Sequence, residues 1–234
     1  MDPTLRGLFI RSFRDTNFRN LMVFLAAWNG AMYLATPFFV VYMLDPLGLS
    51  LSLVIGLVVL RRVVNVIFLR VWSRFPDQIS HKSVLSVSAP LCLLCIFGWT
   101  FTTLPEQHAF MIALLFILHI LMGVAMPGIS IATGSIGMKL APDREGTSYL
   151  ATYSVVNAAA AGTAPLLGGI LAEIFVTREV AWTLQYVGPE GRTAIEALNF
   201  QQWDFLFGIA LLVGFYALHR LSSVVEEGET ARRR

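Results

Sequence analysis

Arg61 and Arg62 lie side by side in an otherwise apolar run, with Asn65 one helical turn further on. Read as a helix, the run puts them some eleven residues from its end near Trp72, about 16 Å at ~1.5 Å rise per residue and close to the middle of a bilayer. A charge at that depth costs about 2.5–3.5 kcal/mol on insertion scales, so a guanidinium there needs a partner or a wet cavity. Asp45, Asp77, Glu106, Asp143, Glu173 and Asp204 all stand at the ends of apolar runs or in loops, so no mid-span acid supplies the counter-charge. Three resolutions are open: an anionic substrate, a carboxylate on a partner subunit, or a shorter, shifted helix that leaves Arg62 at the interface. Asn65 could orient either guanidinium.

The other polar groups inside apolar runs are weaker signals. His119 could relay a proton as a neutral imidazole, but a hydrogen bond to a neighbouring helix is the favoured account of it. Asn29, Tyr33 and Asn157 could line a cavity or join helices. Trp28, Trp72 and Trp99 suit interface anchoring or packing. Cys92 and Cys95 have C-x-x-C spacing, but they lack the polar helix N-terminus that lowers a thiol pKa and read as small packing residues. Ser130 with His119 or His219 makes a poor hydrolase pair. The chain has no H-E-x-x-H, no P-loop and no Gly-x-Gly-x-x-Gly after a strand, so neither an enzyme nor a cofactor is expected.

The elements that hold these residues follow from composition. Of 234 residues 56% are hydrophobic and 14% charged, with mean hydropathy +0.68, whereas a soluble domain carries about 25% charged residues. That balance excludes a soluble domain, a disordered tail, a disulfide-stapled module and a nucleic-acid binder, and it predicts a membrane protein. Runs of about twenty apolar residues predict an all-α fold with six transmembrane helices, at about 20–44, 49–69, 83–103, 109–138, 148–175 and 203–221. Pro37, Pro90, Pro127 and Pro165 predict kinks, and glycines clustered between Gly123 and Gly169 predict close helix approach.

All but four of the 17 Lys and Arg fall in the N-terminal arm, the 70–82 and 139–144 connections and the C-terminal tail; the exceptions are Arg61, Arg62, Arg178 and Arg192. The positive-inside rule then predicts both termini in the cytoplasm, in a bacterial inner membrane, with no cleaved signal. The arm 1–19 reads as amphipathic, with Leu5, Leu8, Phe9, Phe13 and Phe18 among arginines, lying on the inner leaflet. The segment 176–202 reads as an extracytoplasmic loop with a short interfacial helix, and 222–234 as a cytoplasmic tail.

The 71–85 connection, with Ser73, Asp77, Ser80 and Lys82 in order, resembles the G-x-L-A-D-R-x-G-R-[KR] signature of the major facilitator superfamily, serines replacing both glycines. Ala35-Thr36-Pro37-Phe38-Phe39 and Gly162-Thr163-Ala164-Pro165 are similar to stretches in the second half of such transporters. The resemblance implies a conformational latch formed by Asp77 with Arg74 and Lys82. It also implies the fold of one six-helix half and alternating-access transport of a small, anionic or other, solute, with possible ion coupling. Its expected partners are membrane lipid and a second six-helix half, either a separate chain or a second copy. The alternative is a non-transporting membrane protein, a transporter remnant or an interaction subunit.

Overall fold

A computed structural model of the protein describes residues 15–74, 80–103, 110–140, 146–188 and 191–225. Its helices are α1 (Thr16–Ala35), α2 (Phe38–Leu44), α3 (Leu51–Arg74), α4 (His81–Thr100), α5 (Met111–Lys139), α6 (Gly146–Phe175) and α7 (Gln202–Ser222). With α1 and α2 counted together, these make six spans long and apolar enough to cross a membrane, as expected of an integral membrane protein.

Local chemistry sets the boundaries. Asp15 caps α1, its carboxylate accepting from the backbone N–H of Asn17 and Phe18 at 2.8 and 3.0 Å. The first span, expected as one helix, is broken at Thr36-Pro37, because proline brings no N–H and its ring crowds the preceding turn. Gly48, at φ +60°, turns the chain into α3 where a side chain would be strained. Ser80 caps α4 through Ser83 N–H at 3.1 Å.

Helix α3 packs on α5, α5 on α4, α4 on α7, α7 on α1 and α1 on α6. With spans numbered in chain order, span one therefore contacts five and six, span four contacts two and three, and three meets six. Exchanging one with four, two with five and three with six leaves these main contacts unchanged, while the smaller contact of five with six has no counterpart of that extent between two and three. Triplets of spans start from opposite sides of a bilayer, so this is the pattern of an inverted repeat. The spans at the ends of the arc, α3 and α6, are the least covered, with Ile55, Val59, Val63, Leu166 and Ile170 exposed.

Where α3 and α5 meet, Trp72 Nε1 donates to the Val124 carbonyl at 2.7 Å. The first and last described segments are also joined. Asn17 Nδ2 donates to the Val225 carbonyl at 2.6 Å and Asn17 Oδ1 accepts from Val225 N–H at 2.8 Å, while Arg220 donates to Asn20 Oδ1 at 2.7 Å. Phe18, expected on the membrane surface, is instead fully buried against the Tyr149 ring, 4.2 Å away, because α1 starts at Thr16 and carries it into the bundle. Residues 1–14, the rest of the expected arm, lie outside the described residues.

The segment expected to hold an interfacial helix is a β-hairpin, β1 (Glu179–Gly188) and β2 (Gly191–Gln201). The reason is a period of two: Val180, Trp182, Leu184 and Tyr186 alternate with Glu179, Thr183 and Gln185, and Gly188 and Gly191 bracket the turn. The register runs Trp182↔Leu198 and then Thr183↔Glu196, skipping Ala197. This bulge sets Glu196 opposite Thr183 and Ile195 opposite Leu184, so the apolar pairs stay in step along the ladder.

Candidate functional site

Three helices each contribute a polar stripe to one cavity of about 260 Å³. From α1 come Asn29 and Tyr33, with Thr36 just beyond its end; from α5, Ser130 and Thr133; from α6, Tyr153 and Asn157. The spacings of three and four residues within each set are those that share a helix face. Leu25, Trp28, Met32, Met126 and Ile129 complete the wall.

Depth follows from the helix rise. Asn29 lies 13 residues from Thr16, Ser130 nine from Lys139 and Asn157 eleven from Gly146, so all three stand about 13–20 Å from the helix ends on one side, near mid-depth of a ~30 Å hydrocarbon core. Thr36 and Thr133 donate their hydroxyls to the carbonyls of Met32 and Ile129, both at 2.8 Å, which leaves oxygen lone pairs for the cavity. The side chains of Asn29, Tyr33, Tyr153 and Asn157 form no hydrogen bond with another described residue. Their donors and acceptors are unspent, and a volume this size has room for several waters or a small solute, at ~30 Å³ per water.

Of the residues singled out in the sequence, Asn29, Tyr33 and Asn157 are brought together here. Arg61, Arg62 and Asn65 are not, since α3 contributes nothing to the cavity wall. Arg61 is half-buried and Arg62 exposed, ten and eleven residues into a 24-residue helix. Their mid-span position holds, and neither arginine forms a hydrogen bond or ion pair among the described residues, with Asn65 or with anything else. His119 is buried; its Nδ1 donates to the Leu115 carbonyl at 2.8 Å and its ring lies edge-on to Trp99, 5.6 Å between centroids. Its Nδ1 bond stays within α5, and its ring packs against α4.

Of the expected latch, Asp77 lies outside the described residues, Arg74 ends α3 exposed, and Lys82 sits in the first turn of α4. Beside it, Lys139 Nζ donates to His81 Nδ1 at 3.1 Å, joining the end of α5 to the start of α4. Cys92 and Cys95 are free and buried, as their apolar surroundings predict.

Sequence reasoning missed Thr36, Thr133 and Tyr153, and it weighed Ser130 only as a nucleophile. The available signal was spacing: Ser130 with Thr133 and Tyr153 with Asn157 each repeat at a helical interval. It also set Asp204 aside as a helix-end residue, yet that carboxylate is only 7% exposed. No family model matches the chain, and no curated protein is significantly similar to it.

Proposed function

We propose that the chain is half of a secondary transport unit of the kind its sequence resembles, a major facilitator superfamily permease, and moves a small solute by rocking against a second six-span half. The observation that carries this reading is the polar cavity at mid-depth between α1, α5 and α6. Neutral hydroxyl and amide groups held unsatisfied in an apolar bundle cost free energy unless water or a solute meets them, so they point to a wet path. The inverted contact pattern of the spans supports the same reading, because transporter sites sit where such repeats meet.

The exposed apolar faces of α3 and α6 give a second half, another copy or a separate chain, somewhere to pack. Arg61 and Arg62 then stand at the junction, where an anionic solute or a carboxylate of the facing half would supply their counter-charge. On the charge asymmetry of the connections, both termini are cytoplasmic.

Single cysteines test the cavity without knowledge of the solute. With Cys92 and Cys95 replaced by alanine, Asn29→Cys, Ser130→Cys and Asn157→Cys in intact vesicles are expected to react with a small hydrophilic thiol reagent. Leu166→Cys and Leu212→Cys, which replace residues about 70% exposed on the bundle's apolar exterior, should stay inert. Equal inertness at all five positions would mean a dry bundle and end the transport reading. A protein mass in lipid, with the lipid's contribution subtracted, above the 25.9 kDa of one chain is the companion expectation; a strict monomer would leave the cavity without its second wall.

A further inference from the structure

On another face of the bundle, α4 and α7 enclose an apolar groove of about 740 Å³, lined on α4 by Pro90, Leu94 and Phe97 and on α7 by Gly208, Leu212 and Phe215. Phe200 of the hairpin closes its end, and Asp204 lines it there. A Cβ added to Gly214 would run into Leu93 of α4, whereas a Cβ on Gly208, nearer the hairpin, would meet nothing within 4 Å and leaves the groove open there. From Asp204 to Phe215 is eleven residues of helix, about 16 Å, which is the depth of one leaflet of a ~30 Å core.

Asp204 is the second observation. It is 93% buried, since 7% of its surface is exposed. Its Oδ2 accepts from the Gln201 backbone N–H at 3.0 Å, closing the cap of α7, while its Oδ1 has no partner among the described residues. A buried carboxylate oxygen without a donor is costly, and among the described residues no cation is paired with it. An apolar trough one leaflet long, ending at an acceptor that lacks a cation, is the shape of a lipid with an ammonium headgroup.

We propose that this groove is a specific lipid site: an acyl chain lies between α4 and α7, and the primary ammonium of an aminophospholipid headgroup donates to Asp204 Oδ1. Lipid rather than protein is the occupant because the groove shares no lining residue with the polar cavity, so a second half closing that cavity has no need to cover it. Leu94, Phe97, Leu212 and Phe215 are exposed and continue the apolar outer surface of the spans.

The test compares the full chain in nanodiscs of phosphatidylcholine and of phosphatidylethanolamine with the same acyl chains, reading retained lipid by native mass spectrometry and unfolding temperature. The wild-type chain is expected to retain phosphatidylethanolamine on the order of ten-fold over phosphatidylcholine, equivalent to ~1.4 kcal/mol, and to unfold at a higher temperature in it. Gly208→Leu fills the trough without touching the cap and should lose the bound lipid whatever its headgroup. Asp204→Asn should keep a bound lipid but lose the preference between headgroups. Equal retention of both lipids by the wild-type chain overturns the proposal, as does unchanged retention by Gly208→Leu. A Gly208→Leu chain that loses a protein partner instead of a lipid assigns the groove to a protein interface and overturns it too.

Discussion

Trp99→Ala is expected to lower the unfolding temperature in detergent more than any other single truncation, with a loss of about 3–5 kcal/mol. Trp99 is 1% exposed at the end of α4, and its ring reaches three other helices. It stacks on Phe39 of α2 at 4.3 Å and 7°, meets Tyr42 edge-on at 5.9 Å, and touches His119 of α5 and Phe207 of α7 at 5.6 and 6.5 Å. Apolar burial drives little between helices in lipid, so packing of this kind carries the association, and a void there forfeits it directly. The indole N–H has no acceptor among the described residues. Trp99→Phe therefore keeps most of the ring contacts and removes an unsatisfied donor, and it is expected to cost under ~1.5 kcal/mol. Equal effects of the two substitutions would mean that the aromatic cluster does not hold these helices together.

The same Gly→Ala change should have opposite signs at two positions. At Gly123 on α5 an added Cβ would lie 2.8 Å from the Arg61 carbonyl oxygen of α3 and 2.8 Å from Val64 Cβ. Backbone cannot swing aside as a flexible side chain does, so α3 must shift as a body, at ~1–3 kcal/mol. Helix α3 has little else to hold it, because α5 is its main neighbour. At Gly30 the added Cβ meets nothing within 4 Å, and Gly30→Ala should stabilise α1 by up to about 1 kcal/mol through helix propensity. Thermal unfolding of the two variants side by side checks this; stabilisation by both would mean that α3 and α5 do not approach as closely as this geometry requires.

The six spans were legible in the chain because a bilayer imposes one requirement, about twenty apolar residues whose backbone satisfies itself, and a sequence displays that directly. The residues Asn29, Tyr33 and Asn157 could also be picked out, since a mid-span amide or phenol is unusual enough to stand alone. Thr36, Thr133 and Tyr153 could not. A threonine in a membrane helix can spend its hydroxyl on its own backbone, as Thr36 and Thr133 both do, and only the neighbouring helices reveal which other way it faces.

The hairpin was readable and misread: alternation over Glu179–Tyr186 and the Gly188 and Gly191 bracket carry a period of two, but an expectation of interfacial helix overrode it. Arg61 and Arg62 show the opposite limit. Their depth is a matter of counting along one helix, which the chain determines, whereas their separation from the polar cavity depends on which face α3 turns toward α5. Sequence by itself thus determined the lipid-spanning segments, the helix break at Pro37 and the depth of each polar group, all of them local along a single segment, whereas Pro90, Pro127 and Pro165 lie inside continuous helices. The tertiary structure alone decided that α1, α5 and α6 share one polar cavity, that Asp204 is buried beside an apolar groove and that α3 and α6 lie least covered, because each depends on how helices far apart in the chain rotate and pack.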